Sequence, residues 1–552
     1  TAATISAQLR FMHWELQFSE LFESRGGFDL IVGNPPWLQL NWEESGLLSE
    51  FDATVGLRKT SASELAQRRV ELLARGTRSE FLVEMGQTQG QQSFLGAGQS
   101  YPLLSGVRTN LYKCFVTRGW ELGAEKGVLG LAHQPAVFDD PRGGVLRSEI
   151  YKRLEMVFTF KNELRLFSEV GNQLPFTLTV TRASTKKSPR FTFLANLFHP
   201  RTIGESLQHN GDGEVPGIKN ITGDWELRGH KSRVIEVDDE VLAVFAKLYD
   251  APGTLPLEAR LPIVHSTEML SVLKRFAEQQ KLGDRLSSWF ASMHWNETTA
   301  QKDGTIKREE KQCEKTEDWI VSGPHFFVAR PFNKSPNQNC ASQRDYSAID
   351  LTRIPEDYLP RTLYQPACSP EEYRARTPKW NGHPVTDFYR HLHREMVSTT
   401  GERTLVPTIV PPGVGHVHTC LACVFDNDTE LVDFSALSSS LVADYFIRSA
   451  GKGHVGSALT SMLPAPRCDR FRFARIVRAL RLNCLTTHYA DLWSRLFRSE
   501  FKEDSFTTAD SRLSGFGSLS STWTRGTALR TDFARRQALV ELDVLAGLTV
   551  GL

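Results

Sequence analysis

The period of apolar and polar positions changes several times along the chain, and each change marks an element. Residues 1–27 carry helical spacing that leads to a turn at Gly26 and Gly27. Phe28–Gly33 (FDLIVG) is apolar except for Asp29, which predicts a strand buried in a parallel sheet. Over 38–108 the pattern is helical and then loose. SASELAQRRVELLARG predicts an amphipathic helix ended by Gly76, and 86–106 is rich in Gly, Gln and Ser. A cleaner rhythm follows: helix at Leu111–Leu122, strand at 127–132, helix at 145–154, and strands at 156–160 and 175–181. The last two are separated by a short connection carrying Phe167 and Gly171, with no crossover helix, so they predict an antiparallel pair ending an otherwise parallel sheet.

Beyond residue 190 the periodicity is mixed and turn residues are dense. SGPHFFVARPF, YLPRTLYQP and LVPTIVPPGVG read as short strands and proline-rich loops of a separate α+β module. Helical spacing returns at 434–448, 467–501 and 531–548. The expected organisation is an α/β domain over 1–190, an α+β module over 191–460 and a helical region over 461–552. No internal repeat of fixed period emerges.

Composition adds bounds. With 552 residues and 40% hydrophobic content, the chain has material for more than one core. No stretch approaches ~20 uninterrupted apolar residues, so no membrane-spanning helix is expected. The eight cysteines are scattered, as suits a reducing cytosol. Net charge is +1, so contact with nucleic acid would need local basic patches. The chain opens on Thr1 within helix-like sequence and stops on the apolar GLTVGL, which suggests an internal piece of a longer protein.

Candidate chemistry starts where the first strand ends, in FDLIVGNPPWLQL. In an open α/β sheet, ligands sit just beyond the carboxyl ends of strands, which is where Asn34 falls. Pro35 and Pro36 fix the backbone and remove two N–H donors. An acceptor-rich turn remains, made of the Asn34 side-chain oxygen and the Pro35 carbonyl, and Trp37 adds a flat face for stacking. Such a turn suits an amino group on a planar ring. A strand-end turn that merely contains two prolines is the bland alternative. The preceding strand, the following aromatic and the downstream sheet argue against it.

The pattern FD-x-I-x-x-NPP-aromatic resembles the catalytic motif of S-adenosylmethionine-dependent amino-methyltransferases, above all those that methylate adenine in DNA. The resemblance implies the distal half of a Rossmann-like methyltransferase sheet at 1–190, a DNA target-recognition module at 191–460 and a helical C-terminal region. It also implies that the side chain of Asn34 and the carbonyl of Pro35 accept hydrogen bonds from the adenine amino group. Trp37 would stack on a base flipped out of the duplex, and Pro36 would shape the turn. Most members carry Tyr or Phe at the last position, and Trp keeps the stacking face. The later chain (GPHFFVARPF, YLPRTLY, PPGVGHVHTC, SMLPAP, RIVRALRLNCLTTHYADLW) is similar to the recognition and C-terminal regions of large single-chain bacterial methyltransferases. Those occur in restriction–modification and in phage defence of the BREX and DISARM kinds. Implied with them are S-adenosyl-L-methionine as donor, double-stranded DNA and other defence-system subunits as partners, and a cytoplasmic, nucleoid-associated place in a bacterium.

A donor site of this class needs a glycine-rich turn after a strand. FLGAG (94–98) follows the polar GQTQGQQS, and GKGHVG (451–456) follows no strand, so neither qualifies. The donor turn is expected upstream of Thr1. HVHTCLAC (416–423) has half the donors of a zinc site and no second pair nearby, so no metal is expected. Arg467, Arg470, Arg472, Arg475, Arg478 and Arg481 crowd one predicted helix, and Arg472, Arg475, Arg478 and Arg481 form a stripe on it that would contact DNA phosphates, with a solvated or acid-paired face as the alternative. Arg530, Arg535 and Arg536 make a weaker patch, and the charge-dense 295–319 reads as a solvated excursion.

Two other functions stay open. One is methylation of another planar amide or amine, such as RNA or a protein glutamine. The other is a DNA-recognition subunit without its own donor site.

Overall fold

The computed structural model describes the chain apart from residues 1–3, 5, 8, 9, 11, 59–61, 108, 109, 173, 286–288, 343, 399, 400 and 465–469, and the side chains of 62 and 285. The chain divides into two compact units, Thr1–Leu270 and Ser271–Leu552. Among the described residues, no helix is long and apolar enough to cross a membrane.

The first unit is built on six strands: β1 (Phe28–Gly33), β2 (Gly123–His133), β3 (Leu154–Lys161), β4 (Pro175–Arg182), β5 (Arg190–Leu197) and β6 (Ile235–Asp238). Their order is β1-β2-β4-β3-β5-β6. β1 is parallel to β2, and β4 runs antiparallel to both β2 and β3. β5 is parallel to β3, and β6 is antiparallel to β5. It follows that β1, β2, β3 and β5 all point the same way and finish along one edge of the sheet. The expected antiparallel pair is therefore present as β3 and β4. It does not end the sheet, because β5 and β6 extend it past residue 190.

A second correction concerns β1. It lies at the margin of the sheet with β2 as its neighbour, and Leu30 and Val32 are 65% and 74% exposed instead of buried. An apolar run reports the tendency to be covered, whereas an edge position leaves this strand's side chains open. The turn into β1 needs glycine. Gly27 has φ +150°, and a Cβ there would sit 2.5 Å from the Leu122 carbonyl oxygen.

Between β1 and β2 the chain makes a helical excursion. The helices α1 (Ala62–Leu72) and α2 (Arg78–Gly96) are joined at Gly76, whose φ is +103°. Gly86 and the residues after it, expected to be loose, continue α2. Leu48, Val55, Leu72 and Phe81 form the buried centre of this excursion. α3 (Leu111–Leu122) then begins at Asn110, whose side chain caps the Tyr112 N–H. α4 (Gly144–Tyr151) precedes β3, and α5 (Arg201–Gln208) follows β5.

The second unit holds a four-stranded antiparallel sheet of β7 (Trp289–Ser292), β8 (Arg390–Arg394), β9 (Pro407–Val410) and β10 (Cys420–Phe425), in the order β9-β8-β10-β7. Helices α6 (Asp428–Ser438), α7 (Arg472–Asn483) and α8 (Asp532–Val550) follow. The stretch 295–319 is more ordered than expected. It carries a helix at Glu297–Lys302 and a strand at Ile306–Gln312, and Trp295 and Trp319 are buried. The HVHTCLAC stretch feeds β10, where burial pushes the Cys420 thiol up to about 12.

Candidate functional site

The turn after β1 stands at the edge where β1, β2, β3 and β5 finish. Pro35 is buried and anchors the turn, while Asn34 and Pro36 are exposed. Among the described residues no group hydrogen-bonds the Asn34 side-chain amide, so its oxygen is open to an incoming donor. The chain leaving the turn is tied down twice. The Leu111 N–H donates to the Leu38 carbonyl (2.9 Å), and Gln92 Nε2 donates to the Leu40 carbonyl (2.7 Å).

Trp37 is half-buried and fixed by its surroundings. Its indole N–H donates to the Ala132 carbonyl near the end of β2, at 3.1 Å. Phe176 stacks against the ring at 6.4 Å and 23°, and Phe167 meets it at 5.8 Å and 67°. Behind these rings lies the apolar cluster of Phe158, Phe160, Phe176, Leu194 and Leu197. Each aromatic contact adds burial and orientation to a ring otherwise free to rotate.

Phe167 is itself positioned by Asn162, a buried residue just past β3. Asn162 Nδ2 donates to the carbonyls of Phe167 and Val170, both at 2.8 Å, and its Oδ1 accepts the Phe167 N–H at 3.0 Å. Three bonds from one side chain fold the β3–β4 connection back over the turn. The sequence marks Phe167 only as part of a short connection. The Asn162 role has no period or motif to announce it.

At the end of β2, His133 is buried. Its Nδ1 lies 2.8 Å from the Gln134 carbonyl and its Nε2 lies 3.0 Å from the Thr179 hydroxyl. Tyr112 stacks on the imidazole at 5.0 Å and 5°. Burial lowers the His133 pKa to about 4, so the ring is neutral at physiological pH. Three strand ends (β1, β2 and β3) are therefore locked together around Trp37, with Asn34 left facing outward.

Neither glycine-rich turn has the setting of a methyl-donor site. FLGAG begins in the last turns of α2 and GKGHVG follows the helix Leu441–Ser449, so neither turn follows a strand.

The arginine stripe on α7 is corrected. Arg475 is buried against Asp433 (2.8 Å) and Thr549 (2.8 Å). Arg478 is buried between Asp504 (2.8 Å) and Glu541 (2.7 Å). Arg481 is buried on the Thr527 carbonyl and on Ser514, with Phe516 beneath it. Arg472 pairs with Glu430 and Asp433. The stripe faces inward and binds α6, α8 and the intervening loops, so it is not a surface for phosphates. Of the second patch, Arg535 is buried on backbone carbonyls and Arg536 is exposed beside Glu402. Arg467 lies outside the described residues.

Comparison with known proteins gives a local match and distant structural likenesses. No curated protein matches the chain. The solved Type IIL restriction-modification enzyme MmeI, in complex with DNA, is similar at 8% identity and TM-score 0.38 over 95% of this chain and 54% of its own. A nuclease-deletion mutant of the Type ISP enzyme LlaGI, in complex with a DNA substrate mimic, is similar at 11% identity and TM-score 0.34, over 86% and 36%. The type IIG restriction endonuclease BpuSI is similar at 11% identity and TM-score 0.24, over 81% and 50%. This chain thus spans about half the length, or less, of each of these structures. Residues 2–69, which include β1 and the turn from Asn34 to Trp37, match the family described as Eco57I restriction-modification methylase.

Proposed function

We propose that this chain is the acceptor side of a DNA amino-methyltransferase of a restriction–modification or phage-defence system, acting on adenine in double-stranded DNA. The observation that carries this reading is the open Asn34 amide at the end of β1, beside a Trp37 ring fixed by Ala132, Phe167 and Phe176. The Eco57I match over the same segment supports it. In this reading the Asn34 oxygen and the Pro35 carbonyl accept the two hydrogens of the adenine amino group. That draws the nitrogen lone pair out of ring conjugation and frees it to attack a methyl group. Trp37 offers its remaining face to the extruded base.

S-adenosyl-L-methionine as donor rests on the resemblance of the motif and on no residue described above. The target-recognition module is proposed within 191–460 and the helical C-terminal region over 461–552. A bacterial, nucleoid-associated setting follows from the same reading.

The test is transfer of labelled methyl from S-adenosyl-L-methionine by the protein at its full natural length, offered duplex DNA, RNA and protein separately. Label recovered as N6-methyladenine from the duplex supports the reading. Label recovered only in RNA or in protein glutamine would replace it with the corresponding alternative. DNA binding without transfer to any of the three would favour a recognition subunit.

A further inference from the structure

Residues 218–226 form a tight hairpin whose base packs just past the end of β5. Lys219 and Trp225 bridge in antiparallel fashion, and the Glu226 N–H donates to the Ile218 carbonyl at 3.0 Å. The tip is held by more bonds than a turn requires. Asn220 Oδ1 accepts the N–H groups of Thr222 (3.1 Å) and Asp224 (2.9 Å), and the Asn220 N–H donates to the Asp224 carbonyl (2.9 Å). The Thr222 hydroxyl lies 2.7 Å from Asn220 Oδ1 and 2.8 Å from Asp224 Oδ2. Gly223 supplies φ +87°. At the centre of this fixed tip is Ile221, an aliphatic side chain that is fully exposed.

The base of the hairpin is equally well placed. Trp225 stacks on buried Phe198, at 4.5 Å and 22°, directly after the end of β5. Thr202 Oγ1 donates to the Leu227 carbonyl at 2.7 Å, and its neighbour Ile203 packs on the same apolar cluster as Trp37. Lys219 lies over the Trp225 ring at 4.7 Å, putting a cation on the hairpin stem.

An exposed isoleucine alone needs no explanation. One held at the apex of a pre-ordered turn, whose base is joined through Thr202 and Ile203 to the apolar cluster behind Trp37, does. Extruding a base leaves a gap in the duplex stack, and an aliphatic side chain is the kind of group that fills such a gap. A rigid tip has already lost the freedom that insertion would otherwise cost. We infer that Ile221 is a wedge that enters the DNA stack as the target base leaves it for the Asn34–Trp37 turn. The inference rests on the reading of that turn as an adenine site.

The test uses protein at its full natural length and the site found by sequencing plasmid DNA that the wild type has modified. Two duplexes carry this site, one with the target adenine paired and one with it opposite an abasic position. Ile221→Ala is expected to slow transfer on the paired duplex by about 10-fold and to stay within about 2-fold of wild type on the abasic one, where the base is already free to leave. Ile221→Leu keeps the wild-type rate on both. Equal slowing on both duplexes would make the effect structural and overturn the wedge. So would no slowing on either, which would leave the tip for a contact such as a protein partner. A wild type that transfers no methyl to DNA would instead refute the underlying reading, and the wedge with it.

Discussion

The indole N–H of Trp37 donates to the carbonyl of Ala132 across 3.1 Å, joining the turn after β1 to the end of β2. The bond is made by the edge of the ring, so it fixes the ring plane. Trp37→Phe removes this donor while keeping an aromatic ring, and leaves a half-buried carbonyl without its partner. A loss of about 1 kcal/mol is expected, read as a lower denaturation midpoint at unchanged slope. Trp37→Ala also removes the contacts with Phe167 and Phe176 and is expected to cost about 3 kcal/mol.

Asn162 controls the connection that brings Phe167 to Trp37. Asn162→Ala breaks three hydrogen bonds at once and strands the Val170 carbonyl and the Phe167 N–H, while the Phe167 carbonyl keeps only the Val170 N–H. Amide hydrogen exchange is expected to accelerate by about 10-fold or more over 163–170, with β3 itself little changed. Equal acceleration throughout the first unit would mean that Asn162 supports the whole sheet and not this connection.

The inward arginines make a contrasting pair of expectations. Arg475→Met leaves Asp433 with a buried charge that has lost its closest partner, at an expected cost of about 3–5 kcal/mol. Changing Asp433→Leu as well should recover much of that loss. The salt dependence of DNA binding should be the same for wild type and the folded double variant, because Arg475 neutralises a protein carboxylate and not a phosphate.

Protonation of His133 sets a pH dependence. Its pKa falls from about 6.5 unfolded to about 4 folded, because burial penalises the charged ring. Between those values the unfolded chain binds the extra proton. The stabilising contribution is therefore complete above pH 6.5, shrinks as pH falls toward 4 and is gone below it. The difference amounts to at most about 3 kcal/mol. His133→Gln should flatten the stability profile of the first unit over that range, measured by urea unfolding at a series of pH values.

Much of this architecture was legible in the chain. Phe28–Gly33 and Leu111–Leu122 have the bounds their patterns predict, and β3 and β4 pair as their short separation requires. The exposure of Leu30 and Val32 was not legible, because an apolar run looks the same whether a strand lies at the centre or the edge of a sheet. The α7 arginines failed for another reason. Within the helix they lack acidic neighbours, but Asp433 and Glu541 reach them from 42 and 63 residues away. At the candidate site, the turn itself was readable because proline and asparagine have fixed local consequences. Its supports were not, since Ala132 contributes only a carbonyl, and Asn162 acts through a fold that no local pattern encodes.

The central claim is that Asn34 accepts the amino group of the base to be methylated. The most direct measurement compares wild type with Asn34→Ala, at full natural length, in DNA binding and in methyl transfer to duplex DNA. Asn34 is exposed and the variant should fold, so binding should hold within about 2-fold while transfer falls by roughly 100-fold or more. Undiminished transfer by Asn34→Ala would contradict the account.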